Sequence, residues 1–380
     1  MNALRSRTGH STPVPFLDLR ASNDPVREAV VSDIAALIRS GAFTNGPHVE
    51  AFEREFATLH QISHCVGVAS GLDALRLTLL GAGVGPGDEV IVPAHTFIAT
   101  FEAVSQVGAQ PVPVDISNRD YALDVEAAAA AIRGRTRALL PVHLYGQMAD
   151  ARAIVALSER HDLVVVEDAC QAHGAFRDGA VAGTIGLAGC FSFYPGKNLG
   201  AFGDAGAVVT GSAELAGKLR ALREHGQSSK YRHELVGWTS RLDTIQALVL
   251  VHKLPLLEQM NAARREAAAY YTGVLEGIGD LVLPNVPAGS SPVWHLYVVR
   301  TKARDDLRAF LGERGIGTGL HYPEPPHLAA AYASLGYLRG AFPTAETLAN
   351  ECLSLPLFPG ITEAQLDAVA SAVDDFFRRG

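Results

Sequence analysis

Lys197 lies in Phe191-Ser192-Phe193-Tyr194-Pro195-Gly196-Lys197-Asn198-Leu199-Gly200, a proline- and glycine-rich loop between two short apolar runs. The chain has only five lysines, at 197, 218, 230, 253 and 302, so each one is informative. No carboxylate stands at helical spacing to pair with Lys197. Rigid surroundings suit an amine that must meet a carbonyl carbon as a Schiff base and later move a proton at the same centre. Desolvation and neighbours tune such an amine so that it is neutral when needed. Twenty-nine residues upstream, the run Leu163-Val164-Val165-Val166 ends in Glu167-Asp168, followed by Ala-Cys170-Gln171-Ala-His173-Gly174. Alone, an acid at a strand's carboxyl end is best read as a cap for the next turn. Beside a rigidly held lysine, Asp168 reads as an acid that keeps a pyridine nitrogen protonated, so that the ring can act as an electron sink.

Two further stretches fit that chemistry. Ala69-Ser70-Gly71-Leu72 places small residues at a strand-to-helix turn, where free N–H groups and the positive end of the helix suit a phosphate. Ser192 offers a second hydroxyl. By itself Ser70 is an ordinary N-cap. Pro93-Ala94-His95-Thr96-Phe97 follows another apolar run, and Phe97 or His95 is placed to stack on a flat ring, unless it is a core aromatic at a helix start.

The elements that must position these residues alternate regularly. Short apolar runs at Cys65–Ala69, Glu89–Pro93, Pro111–Asp115, Ala138–Val142 and Leu163–Asp168 read as buried strands. Helical stretches lie between them at 71–82, 96–108, 123–133 and 149–161. Further strands are expected at Cys190–Phe193 and Gly206–Thr210. The pattern predicts an α/β fold with a mostly parallel sheet covered on both faces, its ligands outside the strands' carboxyl ends. A long helical stretch at 241–275 leads to a strand at His295–Thr301 and helices near 304–314, 343–353 and 362–377. That remainder suits a smaller α+β domain, giving a large domain over residues 1–255 and a C-terminal one over 256–380.

Composition narrows the function classes. With 48% hydrophobic and 19% charged residues, the 380-residue chain can bury a sizeable core. Its formal charge of −8 argues against nucleic acid and anionic membranes as partners. No apolar run approaches the roughly 18 residues that span a bilayer. Met1–Pro15 carries Arg5 and Arg7 without an apolar segment behind them, so no secretory leader is expected. Cys65, Cys170, Cys190 and Cys352 are widely spaced and read as buried free thiols, which suits a cytoplasmic setting. The fourteen histidines are scattered and no pair has convincing metal-ligand spacing, so no metal is expected.

Residues 168–174, 192–206 and Pro93–Thr100 together resemble the DegT/DnrJ/EryC1/StrS family of sugar aminotransferases, and the similarity runs from Pro15-Phe16-Leu17-Asp18-Leu19 to Leu353-Ser354-Leu355-Pro356. The resemblance implies an aspartate-aminotransferase-like (fold type I) enzyme using pyridoxal 5'-phosphate. It implies Lys197 as the Schiff-base lysine, Asp168 on the pyridine nitrogen, Gln171 near the phenolic oxygen and Phe97 on the ring, with Ser70, Gly71 and Ser192 on the phosphate. It also implies a homodimer with shared active sites and L-glutamate as amino donor.

Tyr194–Gly200 is most similar to members acting on nucleotide-linked, dTDP-type 3-keto-6-deoxy sugars, and His321-Tyr322-Pro323 resembles their substrate loop. Where relatives read Tyr-Asn-Ser-Arg-Leu-Asp, this chain has Trp238-Thr239-Ser240-Arg241-Leu242-Asp243, so Thr239 replaces an asparagine that reaches the partner's cofactor phosphate. The cluster His225–His233 is the densest basic stretch. It is either a solvated loop or, through Lys230 and Tyr231 with Arg241, a grip on a pyrophosphate in the partner's site. The competing expectations are a 4-keto sugar aminotransferase, a dehydratase relative, and a non-catalytic or regulatory protein that keeps the fold. The dehydratase branch replaces the lysine with histidine, whereas Lys197 is intact.

Overall fold

The computed structural model describes residues 13–379; the expectation for the first twelve residues, Arg5 and Arg7 included, lies outside them. Seven strands make the central sheet: β1 (His64–Val68), β2 (Glu89–Pro93), β3 (Gln110–Val114), β4 (Thr136–Leu139), β5 (Val164–Asp168), β6 (Ala188–Ser192) and β7 (Gly206–Thr210). Their order across the sheet is β1-β7-β6-β5-β4-β2-β3. All neighbours pair in parallel except at β7, which runs antiparallel to both β1 and β6. The result is the expected α/β architecture. The strands are apolar along their length because helices cover both faces.

Four of the strand-to-helix turns are fixed by a short polar cap, whereas the turn into Ala99–Gln106 has none. Ser70, Asp124, Asp150 and Ser212 each accept from a backbone N–H in the first turn of the following helix. These caps start the helices Gly71–Gly81, Val125–Ala131, Ala151–His161 and Ala213–Leu222. The helix expected from residue 96 begins only at Ala99, which leaves Thr96 and Phe97 in the turn.

The stretch 241–275 is two helices, Thr244–Lys253 and Leu257–Leu275, interrupted by the single turn Leu254–Leu256. Pro255 in that turn has no N–H to continue the ladder. The helix expected to reach 353 ends at Glu351. Cys352–Leu355 instead forms a strand, antiparallel to Tyr297–Arg300.

That second, two-stranded sheet packs with Leu257–Leu275, Arg304–Glu313 and Glu363–Arg378 around Tyr271, Tyr297, Leu311, Leu353 and Val369. Val14 joins this cluster by pairing with Ile316, so the N-terminal segment ties back to it. The other clusters lie on the central sheet, and one of them also takes in Leu296, Val298, Phe342, Leu348 and Cys352 from the C-terminal part. Among the described residues no helix is long and apolar enough to cross a membrane, and no group of three or more His, Cys, Asp or Glu is placed to hold a metal ion.

Candidate active site

The carboxyl ends of β1, β5 and β6 open onto one cleft of about 470 Å³. Ser70, Gly71, Phe97, Asp168, Gln171 and Ser192 line it, as do Lys197, His321 and Tyr322. Sequence reasoning thus named nine residues that the fold brings together from five separate segments.

Strand alternation separates the two acids of β5. Glu167 turns into the protein, where it accepts from the backbone N–H groups of Gly183, Ile185 and Gly186 and faces His143 Nε2 at 2.8 Å. Asp168 faces the cleft. Thr100 Oγ1 donates to its Oδ2 at 2.9 Å, and the Cys170 N–H donates to Oδ1 at 3.2 Å. The carboxylate is therefore oriented by two donors, and it has lone pairs left for a third.

Lys197 enters from the loop after β6. That loop is compact because Gly200 approaches Pro195 closely: a Cβ on Gly200 would lie 2.2 Å from Pro195 O. The Lys197 amine forms no ion pair with any described residue. Burial pulls its pKa below the ordinary lysine value, while nearby Cys170 and Asp168 pull it back up. Cys170 lines the cleft and is only partly buried, which corrects the expectation that it is sealed in the core.

At one end of the cleft, Ser70 caps the helix Gly71–Gly81, whose first N–H groups have no intrahelical partner. Ser192 stands against Gly71 so tightly that a Cβ there would lie 2.7 Å from Ser192 Cβ and 2.8 Å from Cys170 Sγ. At the other end Phe97 keeps about half its surface exposed, 5.4 Å from the Tyr322 ring. Tyr322 Oη accepts from Gln171 Nε2 at 3.0 Å, and Gln171 Oε1 accepts from the Tyr145 N–H at 2.7 Å. Tyr145 in turn donates its hydroxyl to His321 O. His95 is buried beneath this bridge, where the Tyr322 N–H donates to its Nε2, so of His95 and Phe97 it is Phe97 that lines the cleft.

The fit to a flat, anionic, aldehyde-bearing group follows from these donors. Two serines and a helix N-terminus suit a phosphate, an oriented carboxylate suits a ring nitrogen, an unpaired amine suits a carbonyl carbon, and an exposed aromatic suits the ring face.

Four expected residues lie away from this chain's own cleft. Lys230 and Tyr231 form the exposed tip of a hairpin between Gln227–Ser229 and Arg232–His233. Thr239 Oγ1 sits 3.0 Å from His225 Nε2, and Arg241 Nη1 donates to Glu224 Oε1 at 2.8 Å. Conversely, sequence reasoning missed Thr100, Tyr145, His295 and Leu17. Thr100 lies one helical turn after Thr96, but nothing local ties it to an acid 68 residues on.

A profile of the DegT/DnrJ/EryC1/StrS aminotransferase family matches residues 25–374. The dTDP-3-amino-3,4,6-trideoxy-alpha-D-glucose transaminase of Streptomyces venezuelae is 50% identical over 366 residues, covering 96% of this chain and 97% of its own length. The crystal structure of S. venezuelae DesV in complex with a ketimine intermediate superposes with a TM-score of 0.95 at 49% identity, over 97% of this chain and 99% of that one. The structure of NtdA from Bacillus subtilis with bound cofactor PMP gives a TM-score of 0.90 at 30% identity, over 98% and 87% of the two chains. With the lysine, the acid and the phosphate-type turn gathered at one cleft, this chain belongs to the DegT/DnrJ/EryC1/StrS aminotransferase family.

Proposed function

We propose that this aminotransferase uses pyridoxal 5'-phosphate to aminate C3 of a dTDP-linked keto-6-deoxyhexose, with L-glutamate as the amino donor. The observation that carries the reading is the meeting of Lys197, which forms no ion pair with any described residue, and the doubly oriented Asp168 in one cleft. When bound, the cofactor supplies an aldehyde for the amine and a protonated ring that takes up the electron pair released at the reacting carbon. Ser70, Gly71 and Ser192 hold the phosphate. Asp168 keeps the proton on the ring nitrogen, and the Thr100 hydroxyl fixes its orientation. Phe97 would cover the ring and Gln171 would serve the phenolic oxygen, while Lys197 would move the proton at the reacting carbon.

The sugar assignment draws on the S. venezuelae relative, whose product carries its amine at C3 of a dTDP sugar. His321 and Tyr322 wall the cleft on the substrate side. Two copies sharing their sites would let Lys230 and Tyr231 reach the partner's cleft as donors for the diphosphate, with Thr239 near the partner's cofactor phosphate. Residues 256–380 would then form the smaller domain, a reading supported by the apolar cluster around Tyr271, Tyr297 and Leu353, which Val14 also joins. Four free thiols fit a reducing, cytoplasmic setting.

The test is incubation of the purified protein with pyridoxal phosphate, L-glutamate and a dTDP-3-keto-6-deoxyhexose. The expected result is 2-oxoglutarate together with a sugar whose amine is placed at C3 by NMR, and neither product from Lys197→Ala. Clean amination of the 4-keto isomer with none of the 3-keto sugar would overturn the regiochemistry. Failure to form 2-oxoglutarate with any keto sugar would overturn the reaction.

A further inference from the structure

Thr100 spends its one hydroxyl proton on Asp168, whose carboxylate only accepts: Oγ1 donates to Oδ2 at 2.9 Å. A second hydroxyl, that of Thr96, stands 2.8 Å from the same Thr100 oxygen. Because Thr100 has no proton left, Thr96 must be the donor in that contact. The two threonines and the acid therefore form a directed chain, Thr96 to Thr100 to Asp168. Both threonines are shut away from solvent, and neither hydroxyl makes another hydrogen bond among the described residues.

What Thr96 adds is a choice of rotamer. A threonine in a helix divides between two side-chain orientations, because its hydroxyl can turn back to the carbonyl three or four residues earlier. Thr100 lies in the first turn of Ala99–Gln106, and the carbonyls within its reach are those of Thr96 and Phe97. Turned that way, it would leave Asp168 Oδ2 without its donor, and only the Cys170 N–H on Oδ1 would still orient the carboxylate. In the observed orientation the Thr96 hydroxyl has a lone pair to meet, which tips the choice toward Asp168. A hydroxyl that accepts one hydrogen bond is also polarised to donate a stronger one.

Thr96 is set from outside the helix, in the turn that follows β2, where it lines the cleft. The titratable groups whose charges interact with Asp168 are Cys170, Cys190, Lys197 and Tyr322, and none of them bonds to either threonine hydroxyl. The chain of hydroxyls thus has one end at the cleft wall and one at the acid. We propose that Thr96 is a positioning residue for Asp168, acting only through Thr100 to hold the carboxylate ready for the cofactor's ring nitrogen. The inference rests on Asp168 being the acid that keeps that nitrogen protonated.

The test reads the colour of the bound cofactor rather than turnover. In the holoenzyme the visible band titrates with the nitrogen that joins Lys197 to pyridoxal phosphate, and the charge on the ring nitrogen shifts that midpoint. Asp168→Asn sets the direction of the shift. Thr96→Val removes the donor while keeping the side chain's shape, and should move the midpoint the same way by roughly half a pH unit, the scale of one hydrogen bond. Thr100→Val should move it at least as far. The double variant should go no further than Thr100→Val alone, because Thr96 has no other route to the acid. Thr96→Ser keeps the hydroxyl and should hold the wild-type midpoint. An unmoved midpoint in Thr96→Val would overturn the proposal. So would shifts that add in the double variant, which would give Thr96 its own contact with the cofactor. A Thr96→Ser midpoint equal to that of Thr96→Val would reduce the effect to packing and overturn it too. If Asp168→Asn itself leaves the midpoint in place, the reading of Asp168 falls first, and the role of Thr96 with it.

Discussion

Lys253 shows how the residues behind the site are held. It is 2% exposed, and its Nζ donates to Gly200 O at 2.7 Å and to Asn23 Oδ1 at 3.0 Å, with no carboxylate among the described residues to neutralise it. Gly200 closes the Lys197 loop, so this ammonium braces the loop from behind. Desolvation brings its pKa down from 10.5 to about 8. Because the folded value lies below the unfolded one, the cost of burying the charge is full below about pH 8 and is relieved as the pH rises toward 10.5; it is on the order of 3 kcal/mol. The melting temperature of the wild type relative to Lys253→Met should therefore rise between pH 7.5 and 10. A difference that stays flat over that range would show that the amine is solvated. The sequence could single out Lys197 because its loop is unusual, and Asp168 because it ends an apolar strand. It could not reveal that Lys253, in an ordinary helical stretch, serves the same loop 53 residues away. Thr100 was equally hidden, since it acts through a partner that only the tertiary fold brings near.

At the scale of elements, the site depends on strand ends that approach each other more closely than side chains normally allow. Gly71 begins a helix directly against Ser192 and Cys170. A methyl group there must push the two strand ends apart, and with them the two hydroxyls assigned to the phosphate. Gly71→Ala should weaken pyridoxal phosphate binding at least tenfold, about 1.4 kcal/mol, measured by titrating the cofactor-free protein. The helix itself loses nothing, since alanine is the better helix former. A variant with unchanged cofactor affinity would show that the phosphate is held elsewhere.

Most of these elements were legible because apolar runs of five residues, separated by capped helices, suit little besides a helix-covered sheet. What was not legible had a physical reason in each case. The direction of β7 is invisible because its sequence, Gly-Ala-Val-Val-Thr, is apolar either way round. Cys352–Leu355 prolongs a helical pattern until pairing with Tyr297–Arg300 claims its backbone. The break at Pro255 was written in the sequence, but it was outweighed by the periodicity on either side.

For the whole molecule, the location of the basic hairpin decides how the chain works. The protein carries a formal charge of −8, and the substrate proposed for it carries a diphosphate, so local cations must overcome a repulsive field. Lys230 and Tyr231 stand at the tip of a hairpin off this chain's cleft, and Leu235 and Val236 beside it are exposed. A hairpin that served its own chain would need to fold back across the surface. One that serves a second copy needs only a two-fold axis, and the exposed apolar residues then have something to bury against. The two arrangements differ in how defects combine. Lys197→Ala destroys the cleft but leaves the hairpin intact; Lys230→Ala leaves the cleft intact and weakens the grip on the nucleotide. If hairpin and cleft come from different subunits, a mixed dimer holds one site with both parts intact and one with neither. Random mixing makes half the dimers mixed, so equal amounts of the two variants, unfolded and refolded together, should recover about a quarter of wild-type activity at low sugar-nucleotide concentration. If each hairpin serves its own cleft, every site in the mixture keeps one defect. Activity would then stay at the average of the two separate variants, and the shared-site arrangement would be excluded.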